Sequence, residues 1–280
     1  MCYCYSRPFH EYLGFSAGLD FESKIMVKPD APRLLRKELM SPKWKPVFLA
    51  LSGVTDCYQP IERRLKLTRR CLEVLVEFRN PVGIVTKSHL VARDVDLLGE
   101  LAKFNAASVF IGLTTLDADL AGKMEPRATS PAGRLQAIAD LAKAGIPVGV
   151  IIAPVIPGLT DHEIPAILEA AAKVGTRSAA YTMLRLPFAV KDLFQTWLEQ
   201  HFPEKKDKVL SRVRELRGGK LNESNFGTRM KGQGPWADLI RSIFHVHRER
   251  LGLEKRGPEL STAAFRRPGE RSLFDGVESC

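Results

Sequence analysis

Short runs of β-branched and aliphatic residues alternate along the chain with longer stretches whose apolar positions recur at helical spacing. The runs are Val47 to Leu51, Val82 to Thr86, Ser108 to Leu113, Pro147 to Ala153 and Ser178 to Leu184. Each is continuous rather than alternating apolar with polar, which predicts strands covered on both faces. Between them, Arg63 to Phe78 sets Leu65, Leu67, Cys71, Leu72, Leu75, Val76 and Phe78 along one helical side, and Asp94 to Phe104, Arg134 to Ala144 and Asp161 to Lys173 continue the pattern. Gly145-Ile146-Pro147 stops one helix and opens a strand, while Thr160-Asp161-His162-Glu163 reads as an N-cap with an acidic first turn. Five strand-helix units in register predict an α/β fold with a parallel sheet and right-handed crossovers, either doubly wound or curved towards a barrel.

After about Pro203 the pattern changes to charged helical segments, a loop at Gly218 to Asn222 and a helix from Pro235 to Leu251. From Gly257 onward, Pro258, Ser261, Thr262, Pro268 and Gly269 predict a disordered tail. The expected organisation is thus a core over 1–202, a basic helical extension over 203–256 and a tail over 257–280. A hydrophobic fraction of 45%, a charged fraction of 26% and a mean hydropathy of −0.11 describe a globular chain and exclude collagen-like and polytopic membrane classes. No apolar run reaches the roughly 18 residues that span a bilayer, and Met1 to Asp20 carries Arg7 and Glu11 without an apolar signal-peptide core. The expected location is the cytoplasm. Five scattered cysteines are too few for a disulfide scaffold and are expected to be reduced. Of the net charge of +10, a large share lies after Phe202, where 17 Lys and Arg face 11 Asp and Glu. A solvated basic helical surface explains this more simply than nucleic-acid binding, because no recognition motif accompanies the charge.

Function in a parallel sheet gathers at the C-terminal strand ends. The loops there are Ser52 to Glu62, Thr86-Lys87-Ser88, Thr114-Thr115-Leu116-Asp117 leading to Glu125-Pro126-Arg127, Ala153 to Asp161, and Met183 to Pro187. Lys87, Arg127 and Arg185 are placed on one rim, a set of cations suited to a carboxylate or phosphate. Thr55, Asp56, Thr114 and Thr115 suit a ribose or amino-acid head group, and each alone is equally consistent with turn formation or helix capping. Phosphate-loop, dinucleotide, nucleophile-elbow and zinc-protease motifs are absent, and the six histidines lack metal spacing. Cys2-Tyr3-Cys4 is a weak metal signal by itself, since an iron-sulfur cluster takes three or four thiolates.

The segment CYCYSRPFHEYLGFSAGLDFESKIMVK resembles the start of the radical S-adenosylmethionine proteins of the spore photoproduct lyase-like, DNA repair photolyase-like group, and within it the PA0069-type family. The resemblance continues through TDCYQPIERRLKLTR, VTKSHLVARDVDLL, TTLDADLAGKMEPRATSPAGRLQAI, GVIIAPVIPGLTDHEI and LRGGKLNESNFGTRMKGQGPWADLI, covering Cys2 to about Leu253. It implies a partial TIM-type (β/α)6 barrel, a [4Fe-4S] cluster and reductive cleavage of S-adenosylmethionine to a 5′-deoxyadenosyl radical, with the substrate unassigned. That family's core begins with CxxxCxxC. Aligned on Tyr3-Cys4-Tyr5-Ser6-Arg7-Pro8, Cys4 is the third cysteine, Met1 stands at the second, and Cys2 falls at the variable position between ligands. The resemblance therefore makes Cys4 the metal ligand and predicts a chain truncated before its first strand and inactive as it stands, because one thiolate does not hold the cluster. It implies that Lys87 and Arg127 hold the carboxylate or adenosyl part of S-adenosylmethionine, with Thr55, Asp56 and Thr115 lining the same mouth. Cys57 is the one further cysteine on a suitable loop, so DNA repair itself is not supported. The alternative is a cluster-free nucleic-acid-binding or other interaction protein that uses the same rim of this scaffold, with the basic C-terminal region as a further expected contact for nucleic acid.

Overall fold

The computed structural model describes residues 1–51 and 54–269. Its sheet has five parallel strands in the order β1 (Leu49–Leu51), β2 (Val82–Thr86), β3 (Ala107–Gly112), β4 (Val148–Val155) and β5 (Ser178–Met183). Strand order follows chain order without a reversal, so this is not a doubly wound sheet. Right-handed crossovers then place the connecting helices on one side of the sheet, the geometry of a partial barrel. Those helices are α4 (Glu62–Leu65), α5 (Leu67–Phe78), α6 (Val95–Ala102), α7 (Ala118–Met124), α8 (Pro131–Lys143) and α9 (Ile164–Lys173). Thr160, expected as an N-cap, uses its hydroxyl to accept from Ile156 N instead (2.9 Å), and a 3-10 turn at Asp161–Glu163 precedes α9. Three further helices precede the sheet: α1 (Pro8–Glu11), α2 (Leu19–Ser23) and α3 (Ala31–Met40).

The two faces of the sheet differ in side-chain size. On the helix-covered face Val82, Ile84, Val109, Ile111, Val148, Val150, Ile152 and Ala179 are buried against Leu72, Phe78, Leu98, Ile138 and Leu168. Alternate positions carry Gly83, Ser108, Gly112, Gly149, Ser178 and Ala180 on the inner face. There Phe110, Ile151 and Ala153 are half-buried, and Val85 is 40% exposed. The expectation of cover on both faces holds for most of the sheet, since Gly83, Ser108, Gly112, Gly149 and Ser178 are buried. The exception is Val85 near the mouth, where the inner face opens.

Three helices complete the fold: α10 (Val190–His201), α11 (Pro203–Leu216) and α12 (Pro235–Arg250). Helix α11 sends Val209, Leu210 and Val213 into a second apolar cluster with Tyr3, Leu120, Met124, Phe194 and Trp197, while α12 adds Ala237, Ile240 and Phe244 to the main core. The basic extension is therefore built into the walls of the barrel.

Residues 257–269, expected as disordered tail, instead run beneath the N-terminal strand ends. Ser261 N donates to Asn105 O (2.9 Å), Asn105 Nδ2 to Glu259 O (2.9 Å) and Arg266 N to Phe78 O (3.0 Å). Arg267 Nη2 reaches Ser41 O and Trp44 O, each at 3.1 Å. Phe265 lies 6.2 Å from the ring of Phe78, and a Cβ on Gly257 would stand 2.8 Å from Phe110. A single apolar anchor and carbonyls at and just beyond the C-termini of α3, α5 and α6 give this polar stretch its attachment. The remainder of the expected tail, 270–280, lies outside the described residues.

Candidate functional site

Strand β2 ends at Thr86, and Lys87 follows it into the mouth of the barrel. The aliphatic arm of Lys87 crosses the end of β3 at Gly112, where a Cβ would come within 2.9 Å of Lys87 Cγ. Glycine is required here for close approach. Lys87 Nζ donates to Tyr3 Oη (2.6 Å), to Thr114 Oγ1 (3.2 Å) and to the carboxylate of Glu125. Burial, reinforced by the charge of Arg134, holds the ammonium well below the ordinary lysine range. Glu125 is buried beside two cations, Lys87 and Arg134. Burial raises its carboxyl, and Arg134 opposes the rise. Arg134 is itself only 2% exposed and spends its other donors on Thr129 O (2.8 Å) and Gly112 O (3.0 Å).

Asp56 sits on the loop after β1 and accepts from Thr86 Oγ1 (2.7 Å), Lys87 N (2.8 Å) and Tyr58 N (2.8 Å). It fixes the turn that aims Lys87. Thr55 is exposed one residue earlier. Thr115, only 2% exposed, donates to Glu163 Oε1 (2.6 Å), whose other oxygen accepts from Leu116 N, so its hydroxyl holds the loop before α7. Arg127 is turned outward and donates to Glu22 O (2.7 Å). Arg185 lies at the end of β5, with Cζ 5.6 Å from the ring of Tyr5. Lys87, Arg127 and Arg185 each meet a different part of the amino-terminal segment, at Tyr3, Glu22 and Tyr5; the side chains in one connected network are Lys87, Tyr3, Thr114, Glu125 and Arg134.

The amino-terminal segment covers this mouth. Buried Arg7 ties it together, donating to Met1 O (3.0 Å), Ala17 O (2.6 Å), Gly18 O (3.1 Å) and the carboxylate of Glu22. Cys2 and Cys4 are half-buried there. Burial pushes the Cys2 thiol up to about 12, so it remains protonated near neutral pH. Among the described residues no three His, Cys, Asp or Glu side chains are grouped so as to hold a metal. This donor set does not fit a [4Fe-4S] cluster held by three thiolates. Cys57, on the loop after β1, has its thiol raised well above the usual value by burial and by the neighbouring charge of Asp56.

Sequence reasoning missed Tyr3, Glu125 and Arg134. Their signals were weak, because a buried charged residue is recognised only when its partner is known. The family model for the Radical SAM superfamily matches residues 2–171. The chain belongs to the radical SAM superfamily. Its 280 residues include 216 aligned at 35% identity with an uncharacterised protein of Mycobacterium tuberculosis strain H37Rv, covering 76% of this chain and 62% of that one. An uncharacterised protein of Methanocaldococcus jannaschii is 31% identical over 202 residues, covering 72% of this radical SAM chain and 71% of the relative. The chain thus spans 62% of the length of the mycobacterial relative it matches. In structure it is similar to a spore photoproduct lyase double mutant with bound AdoMet and dinucleoside spore photoproduct. The TM-score is 0.62 with 16% identity, covering 90% of this chain and 71% of that one, a likeness of fold.

Proposed function

We propose that this radical SAM chain binds S-adenosylmethionine at the barrel mouth, with Lys87 as the cation that meets the amino-acid carboxylate. The observation that carries the reading is the ammonium of Lys87, desolvated and aimed into the mouth between Thr114 and Tyr3. Asp56 acts through Lys87 as a positioning residue, and Thr55 supplies an exposed hydroxyl on the same rim. Thr115 and Arg127 support the mouth rather than line it: Thr115 through Glu163, Arg127 through the backbone of Glu22. Because the three donors of Lys87 are already engaged, an incoming carboxylate takes the place of the Tyr3 phenol at Nζ.

Cys4 is the thiol through which the chain contributes to an iron-sulfur cluster in this reading. Its own described donors fall short of holding one. Titration calorimetry with S-adenosylmethionine tests the proposal. Lys87→Met is expected to weaken binding tenfold or more, and unchanged affinity would overturn the role given to Lys87. Anaerobic reconstitution of the chain with iron and sulfide is expected to give less than one [4Fe-4S] cluster per chain. A stoichiometric cluster with reductive cleavage of S-adenosylmethionine would show that the thiol count misleads.

A further inference from the structure

A second concentration of positive charge lies beyond the mouth, where β5 gives way to the loop between α11 and α12. Met183 N donates to Met230 O (2.9 Å), so residues 228–231 run beside the end of β5. This brings Arg229 next to Arg185, whose Nη1 contacts Met230 Sδ at 3.7 Å. Arg217 lies beneath them and is fully employed, donating to Leu184 O (2.6 Å), Arg229 O (2.8 Å) and Thr228 O (3.2 Å). The carboxylate of Glu223 acts on Arg217 and accepts from Asn225 Nδ2 (2.8 Å). Arg185 and Arg229 have no such counter-charge. Among the described residues neither forms a salt bridge, and Arg185 is repelled by both Arg229 and Arg217.

Both guanidiniums are half-buried, and the Nε of each is buried without a hydrogen-bond partner. Thr228 Oγ1 and Asn222 Oδ1, in the same loop, are buried and unpartnered as well. Arg229 is held in place by stacking, with Cζ 4.3 Å from the ring of Phe226, itself 84% exposed. Like charges are not kept together and partly desolvated without something to offset them. Burial first, then the charge of Arg229, depresses the Arg185 guanidinium below its ordinary value, the direction expected of a cation that lacks its anion.

We propose that Arg185 and Arg229 form an anion site for a phosphoryl group, with Thr228 as a hydroxyl donor, at the β5 edge of the mouth. Two adjacent guanidinium charges call for more negative charge than one carboxylate carries, and a phosphate, with up to two charges and oxygens in tetrahedral directions, supplies it. The site lies beside Tyr5 on the mouth side, so the phosphoryl group belongs to the molecule on which the mouth acts. Only this last step rests on the S-adenosylmethionine reading.

The test is calorimetry of the full chain with inorganic phosphate, with acetate at the same ionic strength as comparator. Saturable phosphate binding, at least tenfold tighter than acetate, is expected, and Arg185→Gln and Arg229→Gln are each expected to weaken it tenfold or more. Arg185→Lys, which keeps the charge and loses the fork, should fall between. Where a variant fails to fold, phenylglyoxal labelling of the unmodified chain decides: phosphate should protect Arg185 and Arg229 but not exposed Arg33. Absence of saturable binding, equal affinity for acetate, wild-type binding by the Gln variants, or no protection would each overturn the proposal. Lys87→Met should leave phosphate affinity unchanged, which separates failure here from failure of the S-adenosylmethionine site.

Discussion

Arg134 is the least expected residue in the molecule, a guanidinium with 2% exposure inside a helix of ordinary composition. It is held by Glu125 and by two backbone carbonyls, and through Glu125 it fixes the electrostatic surroundings of Lys87. Removing one partner of such a network leaves the other charge buried and uncompensated. Arg134→Met is therefore expected to cost about 3–5 kcal/mol, read from the midpoint of urea unfolding. Glu125→Gln should cost at least as much, because it takes the shared carboxylate from both Lys87 and Arg134. Gly112→Ala is expected to spare the fold but displace the Lys87 arm, so S-adenosylmethionine binding should weaken with little change in Tm. Lys87 and Thr114 were legible in the sequence because residues just past a β-branched run lie at a strand end. Glu125 and Arg134 were not, since charge alone predicts exposure for both. Arg127 misled for the opposite reason: proximity in sequence to Glu125 does not determine on which side of the turn a long side chain leaves.

At the scale of elements, the amino-terminal segment behaves as a cover held by one carboxylate. Glu22 receives Arg7 and the terminal ammonium and lies 4.0 Å from Arg127. Burial works to raise its carboxyl, but the terminal amine and Arg7 outweigh burial and hold it below the usual range. A depressed folded value means the tie contributes fully above the unfolded value of about 4.3 and is lost as pH falls from there through the folded value. Hydrogen exchange in residues 16–24 should therefore accelerate on going from pH 5 to pH 3, beyond its intrinsic pH dependence. Glu22→Gln should remove the step and show fast exchange at both values. The helical pattern identified α5, α6, α8, α9 and α12 to within a few residues. It passed over the short α1, α2 and α7, and also α3 and α10, whose apolar positions recur at helical spacing but lie outside the alternation with strands. Helix α7 starts at the Asp117 cap, whose carboxylate accepts from Asp119 N (2.8 Å) and Leu120 N (3.0 Å), and it is stabilised by its place in the second cluster.

For the whole molecule, the order of the strands decided what the pattern left open. Five strands in chain order with helices on one side leave a separate inner face, on which Gly83, Ser108, Gly149 and Ser178 lie at the strand starts and Gly112 at the mouth beside Lys87. The strap over 257–269 was illegible because nothing in its composition resembles a packed element; it is attached mainly through backbone groups of other segments. Truncation after Arg256 is expected to expose Phe78 and Phe110 at the lower face and to lower Tm by several degrees. Differential scanning calorimetry checks this, and an unchanged Tm would show that the strap is ornamental to stability.

That strap also bears on how the protein is made. Arg267 bonds to the carbonyls of Ser41 and Trp44, just before the first strand, so the lower face is closed by contacts more than 220 residues apart in sequence. Such long-range closure carries the loop entropy that slows folding. The underside is latched only once Arg267 has met Ser41 and Trp44, so until that late contact forms the lower face lies open to chaperones and proteases.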